Sequence, residues 1–244
     1  MISALFHAIV FDPIFNLLIG LYDIVPGKDI GVAIILLTVL VKLLMWPLSA
    51  SALRSQKALA DLQPKVDALK KKYAAKDQQE ELAKAMMALY SEEKVNPAAS
   101  CLPVLIQLPV FIGLYRALSD SLKSGGFEYL YSFVPHPSVI HPALFGVIDL
   151  AKPNIMLALC AGATQYVQAK MMVSRTQPKG APGAKDEEML ATMNKQMMYM
   201  MPVLTVVLGW KLPGGLALYW LVMNLLTVLQ QYIFFKKKTA SSTI

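Results

Sequence analysis

Five stretches of this chain, 31–48, 98–118, 153–172, 197–210 and 215–235, are apolar over nearly the ~20 residues that a helix needs to cross a bilayer, the fourth being short. With 56% hydrophobic residues in 244, the chain belongs to the membrane class before any motif is considered. The fourth stretch contains Pro202. To cross, it needs help from neighbouring helices, from bilayer thinning or from a slanted hairpin with the fifth, which the turn Pro213-Gly214-Gly215 would suit.

Basic residues orient the spans, because Lys and Arg are retained in cytoplasmic loops. Nine fall in 54–96, five in 170–195 and three at 236–238, against five (Lys28, Arg116, Lys123, Lys152, Lys211) in the alternate segments. The expected protein is therefore multi-pass, with its N-terminus outside and its C-terminus in the cytoplasm. The net charge of +7 is explained by that topology and by attraction to anionic lipid, and calls for no specific nucleic acid.

The divisions follow. Residues 1–27 are apolar but interrupted by Asp12-Pro13. Phe6, Ile9 or Val10, Ile14, Leu17 or Leu18 and Leu21 recur at helical spacing, as in an interfacial helix on the outer leaflet, with a short sixth span as the alternative. Span one is 28–53. In 54–96, Leu59, Leu62, Val66, Leu69 and Tyr73, then Leu82, Met86 and Leu89, make apolar stripes on a charged background: a cytoplasmic helical hairpin, turning near Lys76-Asp77 and kinked at Pro64. Asn96-Pro97 opens span two, 97–120. An outer loop (121–152), span three (153–173), a Pro- and Gly-rich cytoplasmic linker (174–195), spans four and five (196–235) and a basic tail (236–244), disordered from Thr239, complete the chain.

Polar residues recur at one depth: Thr38 and Lys42 in span one, Gln107 in span two, Thr164 and Gln165 in span three, Thr205 in span four and Asn224 in span five. Thr38 and Lys42 are four apart and share a helix face. The neutral members are more readily explained by hydrogen bonds between helices, each contributing about 0.6 kcal/mol, than by a working role. Lys42 is different, since a lysine at mid-span costs about 2.5 to 3.5 kcal/mol and marks a wet or protein-lined cavity. Cys101 and Cys160 show neither disulfide nor metal-ligand spacing, and His7, His136 and His141 are scattered over outer segments. No GxxxxGK[ST] loop, HExxH or nucleophile elbow occurs, so enzyme chemistry, cofactors and metals are not expected.

The runs GVAIILLTVLVKLLMWPL (31–48), LQPKVDALKKKY (62–73), MMALYSEEKVNPAASCLPVLIQLPVFIGLYRAL (86–118) and MMYMMPVLTVVLGWKLPGGLALYWLVMNLLTVLQQ (197–231) resemble the YidC family of membrane-protein insertases, in the same order and over about 26–235. The resemblance implies an all-α integral membrane protein: five transmembrane helices around a hydrophilic groove, with the hairpin and the interfacial helix, in the short form without a large outer domain. It places the groove charge at Lys42, where arginine is usual, and substrate contacts at Thr38, Tyr219 and Trp220. Lysine keeps the charge but loses the planar fork that pairs bidentately with carboxylates. Gln107, Gln165, Thr205 and Asn224 become the groove's polar wall. Nascent or small membrane proteins, the lipid bilayer of the bacterial inner membrane, the ribosome and the Sec translocon are the implied partners. A secondary transporter would instead predict paired repeats or several intramembrane carboxylates, and the spans have none.

Overall fold

The computed structural model describes residues 5–73, 78–96, 102–121, 126–137, 139–173 and 185–241. The hairpin turn at Lys76-Asp77, Pro97, Cys101 and the linker residues 174–184 lie outside them. Eight α-helices are described: α1 (Asp12–Ile24, continuing a π-helical turn His7–Phe11), α2 (Ile30–Leu44), α3 (Trp46–Lys72), α4 (Gln79–Glu92), α5 (Leu102–Ser121), α6 (Ile155–Val173), α7 (Lys185–Lys211) and α8 (Gly214–Ser241). Between α5 and α6 the chain forms a 3-10 turn, Gly126–Tyr129, and a small antiparallel ribbon, β1 (Ala143–Leu144) on β2 (Ile148–Asp149).

The first helix of span one does not continue straight to residue 53. It ends at Leu44, and α3 leaves at 62° to it. Pro47 sits in the first turn of α3, where its missing N–H is harmless, but its ring would clash with a helix continuing from α2. Met45 takes up the break at φ −85°, ψ 1°. Beyond it α3 continues as one helix to Lys72, with Pro64 inside it. Two other boundaries move as well. The helix α7 begins at Lys185, inside the stretch expected to be linker, and α8 continues to Ser241, through the basic residues of the expected tail.

By length and apolarity, His7–Ile24 and Gly214–Phe234 qualify as membrane spans among the described residues, and the bent pair α2–α3 as a third. Of the stripe expected to face the outer leaflet, Ile14 and Leu18 turn into the bundle instead. Phe11, Ile14, Phe15, Leu18, Ile19 and Tyr22 are buried, whereas Ile9 and Leu17 are exposed, because a helix apolar all round leaves the choice of face to its neighbours. Those neighbours are α2, α5 and the connection from α5 to α6, and the connection supplies the hydrogen bonds. Asn16 Nδ2 donates to Tyr129 O at 2.8 Å and its Oδ1 accepts from Tyr131 N at 2.6 Å, while the Tyr22 hydroxyl accepts from His141 N at 3.1 Å.

The same connection closes that end of the bundle. Asp29 caps α2 by accepting from Val32 N at 2.9 Å, and its other oxygen accepts from Phe145 N at 2.5 Å. Leu144 of β1 lies so close to Gly31 that a Cβ there would stand 2.5 Å from Leu144 Cδ1. Carbonyls of Lys152 and Leu150 accept from Gly214 N and Gly215 N, satisfying amides that the first turn of α8 would otherwise leave bare. The apolar core gathers here, from α1, α2, α5 and the first turns of α6 and α8. At the opposite end, α3 and α4 pack together with Leu62 and Val66 buried, and Lys65 pairs with Glu93.

Candidate functional site

Below the core the helices part around a cavity of about 410 Å³. Lys42 lines it from α2, Met45 from the bend, and Leu48, Ser49, Ala52, Leu53 and Gln56 from the first turns of α3. Gln107 and Phe111 face it from α5, Gln165 and Gln168 from α6, Met201 and Thr205 from α7, and Trp220, Asn224 and Thr227 from α8. The bend at Met45 creates part of this wall, since it carries α3 away from the line of α2.

Lys42 is 6% exposed and sits in the last turn of α2, where the helix C-terminus favours a cation. Its Nζ donates to Thr227 Oγ1 at 2.9 Å, and among the described residues no carboxylate pairs with it. An ammonium so placed has one neutral partner, with its remaining donors free to face the cavity.

Four of the neutral residues hydrogen-bond from one helix to another. Gln107 Nε2 donates to the Tyr219 hydroxyl, joining α5 to α8; the Thr205 hydroxyl donates to Gln165 Oε1, joining α7 to α6; Asn224 Nδ2 donates to Ala161 O at 3.0 Å, joining α8 to α6. Gln107, Gln165, Thr205 and Asn224 all line the cavity as well. Of the three expected substrate contacts, Trp220 lines it, with its indole stacked on Phe111 at a 4.8 Å centroid separation. Tyr219, 1% exposed, reaches it only through Gln107. Thr38 is fully buried, and its hydroxyl donates to Ile34 O at 2.6 Å, within its own helix. Thr164 likewise spends its hydroxyl on Cys160 O and Ala161 O.

Thr227, Gln168, Gln230 and Gln231 were not singled out in the sequence. The signal was present: Trp220, Met223, Asn224, Thr227, Gln230 and Gln231 follow one another at helical spacings along one face of α8.

While polar groups turn inward, the bundle's outside is apolar. Leu44 is 82% and Trp210 62% exposed, and Leu159, Val203, Leu225 and Leu229 are also exposed. An apolar exterior around a partly polar interior defines an all-α integral membrane protein. The sequence matches the family described as 60Kd inner membrane protein over residues 20–241. Similar curated proteins include the membrane protein insertase YidC of Legionella pneumophila, 35% identical over 226 residues, which are 92% of this chain and 35% of that protein. That of Nitratidesulfovibrio vulgaris is 38% identical over 207 residues, 85% of this chain and 35% of its own length. YidC 1 of Halalkalibacterium halodurans is 36% identical over 204 residues, 83% of this chain and 68% of its own. The chain spans about a third of the length of the first two relatives and about two thirds of the third. It belongs to the YidC family, as a multi-pass inner-membrane protein.

Proposed function

We propose that this protein is a membrane-protein insertase that takes segments of nascent or small membrane proteins into the cavity and releases their helices sideways into the bilayer, without nucleotide hydrolysis. The observation that carries this reading is Lys42: a buried cation bound to one hydroxyl, on the wall of a cavity to which six helices contribute polar side chains. The names of the relatives support it.

In this reading α2, α5, α6, α7 and α8 are the five spans, and α1 lies in the outer interface along the loop that closes that end. The hairpin α3–α4 and the basic tail face the cytoplasm, where ribosome and Sec translocon are the partners. Lys42 lowers the cost of bringing a client carboxylate part-way across. At 4 Å the attraction is worth about 4 kcal/mol at an effective dielectric constant near 20 and about 1 kcal/mol in bulk water, so a hydrated cavity lies between. Trp220 offers an apolar face to the client helix. Lateral release then returns roughly 0.8 kcal/mol for each CH₂ transferred from water to acyl chains.

Purified protein in liposomes tests this. It is expected to insert a short single-span client, with Lys42→Ala slowed roughly 5- to 100-fold on clients whose translocated segment is acidic and little changed on neutral ones. Equal rates for both proteins on both clients would remove Lys42 from the mechanism. Solute flux without insertion would favour a transporter.

A further inference from the structure

The cavity-facing stripe of α8 divides into engaged and unengaged halves. Asn224 is spent on Ala161 O, while the Thr227 hydroxyl donates to Met223 O at 2.8 Å and accepts from Lys42. One turn further on, Gln230 and Gln231 are each 2% exposed. Yet Gln230 Nε2, Gln230 Oε1 and Gln231 Oε1 meet no hydrogen-bond partner among the described residues. Buried amides are nearly always paired, and an unpaired one weakens the fold relative to an apolar side chain of the same shape. Two adjacent ones on the wall of a cavity, beside its cation, are arranged for something that enters.

A primary amide presents a donor and an acceptor side by side in one plane. Its complement is the N–H and C=O of a single residue in an extended chain, which point to the same side, and every residue except proline offers that pair whatever its side chain. We propose that Gln230 and Gln231 form a docking site for the main chain of the client, holding an extended stretch of it through amide-to-peptide hydrogen bonds one helical turn beyond Lys42. The proposal rests on the insertase reading and divides the labour within it. Lys42 selects for acidic side chains, whereas the two glutamines grip any sequence.

The test is binding, which requires no insertion. A fluorescent client peptide is titrated onto the protein in nanodiscs, in its native form and with three consecutive backbone amides of its translocated segment N-methylated. Wild type is expected to bind the N-methylated peptide about tenfold more weakly than the native one. The variant Gln230→Leu/Gln231→Leu should bind the native peptide about tenfold more weakly than wild type does and be indifferent to N-methylation, a non-additivity that marks direct contact. Lys42→Ala should keep its sensitivity to N-methylation. The thermal midpoint of the double-leucine variant should equal or exceed that of wild type, because two unpaired buried amides are gone. Equal sensitivity to N-methylation in wild type and double variant overturns the proposal, as does absence of binding by wild type. A lowered midpoint accompanying weaker binding also overturns it, by showing the pair to be structural. If wild type discriminates the two peptides yet no client is inserted in liposomes, the insertase reading falls while the docking site stands.

Discussion

Gly162→Ala sets two effects of opposite sign against each other at the crossing of α6 and α7. Alanine favours a helix over glycine by about 1 kcal/mol. The added Cβ, however, would stand 2.4 Å from Val206 Cγ2 and 3.1 Å from Pro202 O. Carbon atoms pack best at roughly 3.5–4.0 Å, so the first contact is too short by more than an ångström. Neither neighbour yields easily, because valine in a helix is held in one rotamer and a carbonyl oxygen moves only with its backbone. Overpacking of this kind costs about 1–3 kcal/mol, and the upper part of that range applies when two stiff groups are met together. The expected net result is destabilisation of about 1–2 kcal/mol in reversible unfolding by SDS titration in mixed micelles. Val206→Ala removes the offending methyl. The double variant should therefore be at least about 1 kcal/mol more stable than the sum of the single effects. The same crossing sets the Thr205 to Gln165 hydrogen bond on the cavity wall, so insertion should fall with Gly162→Ala and recover in the double variant. A Gly162→Ala protein as stable as wild type, with Val206 in place, would mean that the two helices do not approach so closely.

Asp29→Ala loses the cap on α2 and the acceptor for Phe145 N together. It should cost about 2–3 kcal/mol in the same titration and speed proteolysis of the 126–150 connection, with Asp29→Asn intermediate because it retains the cap. No change in either measurement would place the closure of that end elsewhere. Glu93 raises the pKa of Lys65 above its ordinary 10.5, first through their hydrogen bond and then by charge attraction. The pairing is thus fully present below pH 10.5 and lost as pH climbs through the raised value. Fluorophores at Asp61 and Ala88 should report a constant distance across the neutral range and a longer one only in strong alkali, with Glu93→Gln abolishing the change. A transition near neutrality would assign the hairpin contact to another group.

What one helix decides by its own spacing could be found in the sequence. The stripe Leu59, Leu62, Val66 and Leu69 is buried or half-buried as its spacing implies, and Lys42, Gln107, Gln165, Thr205 and Asn224 do meet around one cavity. What two helices decide between them could not. Nothing in α5 alone says that Gln107 will meet Tyr219, because the partner depends on crossing geometry and depth. Thr38 shares a face with Lys42, but its hydroxyl reaches its own backbone at Ile34 before it reaches the cavity. The break at Met45 was written in Trp46-Pro47 and masked by the apolar run continuing through it. Gln230 and Gln231 stand beside the basic tail, where glutamine passes for ordinary surface, and only the burial of α8 makes them unusual.

That break also explains how a lysine is tolerated in α2. A helix of 15 residues is about 22 Å long at the helical rise, some 8 Å short of a typical hydrocarbon core. Lys42, twelve residues past its start, lies about 18 Å along it. On the proposed reading, in which α2 is a span, a straight continuation would have put the next two turns where the cavity lies and left the ammonium the full cost of an intramembrane charge. Turning by 62° instead, the chain carries residues 46–56 off to one side. Ser49 and Gln56 then become cavity wall, and the space below Lys42 is bordered by Thr227 and the two glutamines of α8. The short span, the proline after it, the cation in its last turn and the polar stripe facing it are parts of one arrangement. Filling the bend with a straight helix, by Pro47→Ala alone, is not expected to undo it, because the core at the closed end fixes α2 while the packing of α3 on α4 and α5 fixes α3.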